Sequence, residues 1–280
     1  MAVSTAKPAA AAARPTSTST PAVAATARAT GAPTVLATPR TATPIATGPT
    51  VPATPRATAA APTPTVAATT VSAVATRPPV TSSGAAGSLA LTFDAGSDRG
   101  YAQDILDTLA EERVVASFGI TGVWAKANSD LVRRMAADGH LVFNHTLDHR
   151  SFTGVSDKLG GLSPSRRRQE LDDADAIIAP LVGSSLKPYY RLPYGDDDAR
   201  VAADVLPAGY SRKVGWTVDS LGWRGASAAD IVARCLKLAA PGGVYVFHVG
   251  RASQDSLALP QLIHGLRERG YGFVKVDQTV

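Results

Sequence analysis

One cysteine in 280 residues excludes an internal disulfide, so packing alone has to stabilise whatever folds. No apolar run reaches the length of a membrane span. Residues 1 to 87 also lack aspartate, glutamate and every aromatic residue, while 13 of the 20 prolines lie there among Ala, Thr, Ser and Val. A stretch without aromatic anchors cannot bury enough apolar surface to offset its conformational entropy, and a disordered, semi-extended stalk or linker is expected over residues 1 to 87. Its only charges are Lys7, Arg14, Arg28, Arg40, Arg56 and Arg77. The net charge of +5 therefore belongs to this segment, because the remaining residues hold 22 basic against 23 acidic side chains. A basic excess confined to the tail argues against a nucleic-acid surface on the folded part.

A Thr/Pro-rich stalk of small residues is the kind of spacer that holds a domain away from a cell surface, so an extracellular or cell-surface location is expected. Met1 to Ala10 carries one lysine and lacks the apolar core of a secretory leader, which places any export signal upstream or leaves export to another route.

Residues 88 to 280 are enough for one domain with a substantial core. Short apolar runs at Leu89 to Phe93, Ala116 to Thr121, Leu141 to Asn144, Tyr189 to Leu192, Val214 to Val218, Val244 to Phe247 and Phe273 to Val276 read as strands. Helical spacing separates most of them. Tyr101 to Glu112 puts Ile105, Leu106 and Leu109 on one face, and Asp130 to Asp138 does the same with Leu131, Val132 and Met135. Ser227 with Asp230 forms a capping signal, Cys235 takes a core position on the helix that follows, and Leu257 to Arg269 ends before Gly270. The alternation predicts an α/β fold, a deformed barrel of about seven parallel strands with helices outside it.

In such folds the chemistry collects where strands end at their carboxyl side. Here the strand ends carry Asp94, then His145 and His149, then Arg191 and Tyr194, then Asp219 and Trp223, then His248. Each has an ordinary explanation singly: Asp94 as a turn residue, Arg191 as a surface cation, Asp219 as a loop cap. Five in one register strain that explanation. His145 and His149, four residues apart, match one side of a helical turn and suit a divalent metal, although spacing alone leaves a plain histidine pair equally open. Arg166 to Arg168 reads as a solvated basic face, Asp196 to Asp198 as a helix cap, and His140 and His264 as ordinary surface or helix residues.

The ordered segments TFDAG at Thr92, HTLDH at His145, RLPYG at Arg191, DSLGW at Asp219 and VFH at Val246 resemble those of the polysaccharide deacetylases with the NodB-homology domain, carbohydrate esterase family four. The resemblance covers most of residues 88 to 280 as a catalytic domain. It implies hydrolysis of an N-acetyl group on a peptidoglycan or chitin-like polymer, with a divalent ion, zinc or alternatively cobalt, on His145 and His149. Asp94 would be the general base, oriented by Arg191, and His248 the general acid. The Tyr194 amide would hold the oxyanion, and Trp223 and Val246 would line the acetyl and sugar site. Two positions depart from the family pattern. Ala95 stands where a ligating carboxylate is usual, so Asp98 is the expected third ligand. Gly222 stands where Asp is frequent, so Asp219 is the expected partner of His248. The implied partner is an acetylated polysaccharide met by a monomeric domain. The alternatives are a catalytically inactive carbohydrate-binding module of the same fold and an O-acetyl esterase of the xylan type.

Overall fold

The computed structural model describes residues 81–279; of the stalk expected over residues 1 to 87, residues 1 to 80 lie outside the described residues. The described residues begin just before the first expected strand, and the last residues expected as stalk are bonded to the domain. The Ser82 amide donates to the Phe273 carbonyl and the Ala86 amide to that of Gly270, so residues 82 to 86 already lie along the last strand segment.

Strand β1 (Gly87–Ala95) is the centre of the molecule and alternates with period two. Leu89, Leu91, Phe93 and Ala95 pack into the main apolar core with the helices, whereas Ala90 joins a second cluster on the opposite face with Phe143, Val214, Val244 and Val276. Thr92 and Asp94 follow Ala90 on that second face by the same alternation. Helix α1 (Ala102–Glu111), strand β2 (Ser117–Ile120), helices α2 (Gly122–Ala127) and α3 (Ser129–Ala137), and strand β3 (Leu141–Asn144) come next. Helix α4 (Pro164–Val182) is the longest, capped by the Ser163 hydroxyl at its start and ended by Gly183 in the left-handed region, φ 81°. Strand β4 (Tyr189–Tyr190), helix α5 (Ala199–Val205), strands β5 (Arg212–Lys213) and β6 (Val218–Asp219), helix α6 (Ala228–Lys237), strand β7 (Val244–His248), helix α7 (Asp255–Glu268) and strand β8 (Tyr271–Phe273) complete the order.

All strand pairings are parallel. The sheet runs β5-β4-β3-β2-β1-β7-β6, with β8 pairing the start of β1. This is the expected deformed barrel, left open between β5 and β6. The run Val214 to Val218, expected as one strand, is not one. Val214 donates to Tyr190 at one edge of the sheet and Thr217 to Val244 at the other, so the segment bridges the opening. Apolar periodicity records burial, not which neighbour is bonded.

Beneath the mouth, Phe93 stacks on both Phe118 and Phe247, with ring centroids 5.3 Å apart in each pair. This aromatic layer supports the ends of β1, β2 and β7, where the polar residues emerge. Cys235 is buried in α6 as expected, and burial pushes its thiol up to about 12. Two sequence expectations fail. Arg167 is buried and bonds Asp204 and the Phe152 carbonyl instead of facing solvent, and His140 is buried with its Nδ1 accepting from the Ala116 amide. His264 is exposed on α7 beside Glu268. Among Asp196 to Asp198 only Asp198 caps a helix, taking the Arg200 and Val201 amides of α5, while Asp196 holds Ser151 and Ser156.

Candidate active site

Parallel register brings Asp94 of β1 level with Gly119 of β2 and His248 of β7. Gly119 is required there, because a Cβ on it would stand 2.7 Å from Asp94 Oδ1 and 2.8 Å from the Phe143 ring. Arg191 follows β4, and its guanidinium is 1% exposed. It donates to Asp94 Oδ1 at 2.7 Å, to Thr92 Oγ1 at 2.9 Å and to the carbonyls of Val214 and Gly215 at 3.0 and 3.1 Å. Phe143 and Trp216 lie against it, 5.2 and 5.5 Å from the ring centroids. A buried cation with every face satisfied can orient only the carboxylate it already touches. Burial by itself would raise the Asp94 carboxyl, but Arg191, with His145 and His248, outweighs it and holds the group below the usual carboxylate value.

The two histidines are brought together, but not on a helix. They lie on the loop after β3, where Thr146 and His149 both take positive φ, 71° and 65°. Several groups hold this strained loop. Asn144 Oδ1 accepts from the Thr146 amide at 2.8 Å, and Glu170, fully buried on α4, accepts from the Leu147 and Asp148 amides at 3.1 and 3.4 Å. The His145 and His149 rings meet edge to face at 4.9 Å, and Tyr194 meets His149 likewise at 4.7 Å. The Nδ1 of His145 is 3.0 Å from the Arg191 carbonyl, while its Nε2 lies 3.8 Å from Asp94 Oδ2. Burial lowers the titration of His145 despite the nearby Asp94 carboxylate. Burial, followed by His145, pushes His149 down to about 4. Two neutral imidazoles, one with Nδ1 fixed by a backbone carbonyl and Nε2 turned to a carboxylate, are a donor set that fits a divalent ion such as zinc.

The third expected ligand does not join them. The Asp98 carboxylate accepts from the Arg251 amide at 3.0 Å and its carbonyl takes the Trp124 indole at 2.7 Å, which ties the loop away from the histidines. Among the described residues no group of three or more His, Cys, Asp or Glu side chains is arranged to hold a metal. Ala95 explains part of this, because it lies fully buried on the helix-facing side of β1, within the main apolar core.

These residues open on one cleft of about 560 Å³, lined by Asp94, His145, His149, Tyr194, Val246 and His248, with Trp216, Asp219 and Trp223 along its wall. Tyr194 sits in a 3-10 turn, Pro193–Gly195, with φ 61° and its ring half exposed. Trp223 is 54% exposed, an apolar face open to solvent at the rim. Asp219 is not the partner of His248. Its Oδ1 accepts from the Leu221 amide at 2.8 Å and its carboxylate takes the Trp223 indole at 3.1 Å, so it shapes the rim. Sequence reasoning missed Thr92, Asn144, Glu170, Trp216 and Asp255. Glu170 and Asp255 carried a readable signal: each is a carboxylate set in the apolar stripe of its helix, with Leu171, Ala174 and Ile178 in α4 and with Ala258, Leu259 and Leu262 in α7.

The polysaccharide deacetylase family matches residues 82–212. The chain is 32% identical to a chitooligosaccharide deacetylase of Rhizobium leguminosarum bv. trifolii, over 68% of this chain and 91% of that protein. It is 30% identical to the peptidoglycan-N-acetylmuramic acid deacetylase PdaA of Bacillus subtilis, over 69% of this chain and 71% of that one. Among solved structures, T48 deacetylase with substrate superposes with a TM-score of 0.61 at 30% identity, covering 69% of this chain and 90% of that chain. Sequence identity and shared architecture together make this chain a member of the polysaccharide deacetylase family of hydrolases.

Proposed function

We propose that the protein removes acetyl groups from the N-acetylated sugars of a peptidoglycan or chitin-like polysaccharide, outside the cell or at its surface. The observation that carries this reading is the buried Asp94–Arg191 pair, opening on the same cleft as His145, His149 and His248. A structural ion pair has no need of three histidines around it. The names of the chitooligosaccharide and peptidoglycan deacetylases among its relatives support the polymer class.

His145 and His149 would hold a divalent ion, zinc first and cobalt as the alternative, whose chemistry is to polarise the acetyl carbonyl and acidify water near neutral pH. Asp94, kept ionised by Arg191, takes the proton of the attacking water. The Tyr194 amide, on the cleft wall beside His149, holds the negative oxygen that develops on the acetyl carbon. His248 delivers a proton to the departing sugar nitrogen, so the products are acetate and a free amine. Val246 and Trp223 offer apolar surface for the acetyl methyl and a sugar face.

The test is acetate release from N-acetylglucosamine oligomers with zinc or cobalt added, before and after chelation, alongside elemental analysis of bound metal. Release that chelation stops and metal restores is the expected result. Ala95 favours one second reading, a catalytically inactive module that keeps the carbohydrate cleft. Oligomer binding with neither metal nor acetate would establish that reading and overturn the first.

A further inference from the structure

Three facts meet behind His248. Its Nδ1 is buried and has no hydrogen-bond partner among the described residues, and the same holds for Oδ1 of Asp255. The two residues are already joined, since Asp255 Oδ2 accepts from the His248 amide at 2.8 Å. Asp255, 1% exposed at the start of α7, shares with Ser253 the space beside Gly222: a Cβ on residue 222 would meet Ser253 Oγ first, and would lie 2.5 Å from Asp255 Oδ1 and 2.8 Å from its Cγ. No helix cap explains this carboxylate, because Oδ2 reaches into β7 and Oδ1 is left unbonded.

We infer that Asp255 is the positioning residue of His248, a carboxylate supplied from α7 that fixes the strand end through Oδ2 and balances the imidazolium charge through Oδ1. The inference rests on the reading of His248 as the proton donor. An imidazolium buried on its Nδ1 side needs a negative partner there, and an unmatched buried donor would disfavour the protonated form that catalysis requires. The other groups bearing on His248 lie elsewhere. Asp94 of β1 is level with it in the sheet, His145 and His149 come from the loop after β3, and Asp219 on β6 is engaged by Leu221 and Trp223. Asp94 is in turn paired to Arg191, which leaves Asp255 as the carboxylate without a cation of its own. Burial raises the Asp255 carboxyl, countered by the His248 amide, the Ser253 and Ser220 hydroxyls and the His248 charge.

The experiment is an NMR titration of the His248 imidazole in the full chain and in Asp255→Asn, with kcat and KM followed against pH. Asparagine keeps the shape and the bond to the His248 amide, so a merely structural Asp255 would leave the titration unmoved. The expected result is a midpoint about one unit lower, the usual effect of removing an adjacent opposite charge. The basic limb of the activity profile should move with it, while kcat falls about tenfold or more and KM stays within about twofold. Asp255→Ala loses the same charge and is expected to move the midpoint in the same direction. An unchanged midpoint in Asp255→Asn overturns the inference. A midpoint that moves while the activity profile does not leaves Asp255 as the partner of His248 and removes His248 from the chemistry instead, so the two failures are told apart.

Discussion

Asp94 has two oxygens with different duties. Oδ1 receives Arg191, and Oδ2 faces His145 Nε2 at 3.8 Å, on the side of the cleft. The proposed base is thus kept ionised by one contact and presented by the other. Replacing Asp94 with Asn keeps the shape and removes the proton acceptor. Acetate release should drop by about 10²- to 10⁴-fold, the range expected for loss of a general base. Stability should fall by at most about 3 kcal/mol, the low end of what breaking a buried ion pair costs. Arg191 limits that loss, because it keeps Thr92, Val214 and Gly215 as acceptors. Thermal melting beside the activity assay separates the two effects, and full activity in a folded Asp94→Asn would remove Asp94 from the role of base.

Between elements, the histidine loop depends on a helix that contributes nothing to the cleft lining. Glu170 of α4 accepts two amides of the segment between His145 and His149 while Arg166 pairs with its other oxygen at 2.6 Å. Positive φ at Thr146 and His149 costs on the order of 1–3 kcal/mol per residue and persists only where neighbours over-determine it. Glu170→Ala removes that restraint without touching a ring. Metal affinity should weaken about 10- to 100-fold, as for other groups that orient ligands from behind. Equilibrium dialysis with zinc measures this directly, and an unchanged affinity would show that Asn144 alone holds the loop.

At the scale of the whole molecule, buried histidine makes stability depend on pH. His140 is held neutral between β2 and β3, and burial pushes it down to about 4 from an unfolded value of 6.5. The unfolded chain therefore binds the extra proton first as pH falls. The stabilising contribution of neutral His140 is complete above pH 6.5 and is lost progressively between 6.5 and 4, by an amount on the order of 3 kcal/mol. Urea denaturation at pH 7 and pH 4.5 should show this loss, and His140→Asn, whose side-chain oxygen can still accept from Ala116, should show a smaller one. That difference isolates His140 from His149, which is held near the same value. Equal losses in both proteins would place the sensitivity elsewhere.

The alternating barrel and the identity of most cleft residues were legible in the sequence. Period-two burial in β1 and 3.6-residue stripes in the helices are local consequences of which side chains avoid water. The motif segments sit where such strands end. Asp94, His145, His149, Arg191, Tyr194, Trp223, Val246 and His248 all line or adjoin one cleft for that reason. What remained hidden were the partnerships, because most of the hydrogen bonds and ion pairs at the cleft cross between elements, from seven to more than 100 positions apart, and leave no periodic trace. Asp98 and Asp219 lie in or just after strand-end motif segments, yet the backbone amides of Arg251 and Leu221 hold them elsewhere. Glu170 lies more than 20 positions from the amides it accepts and Asp255 only seven from His248, yet both sit on helices, and only the docking of α4 and α7 against the sheet brings them behind His145, His149 and His248. Composition and periodicity determined the architecture, and the motifs at the strand ends supplied the candidate cleft residues; the packing of helices on the strand ends decided which carboxylate stands behind each histidine, because that depends on distance in space alone.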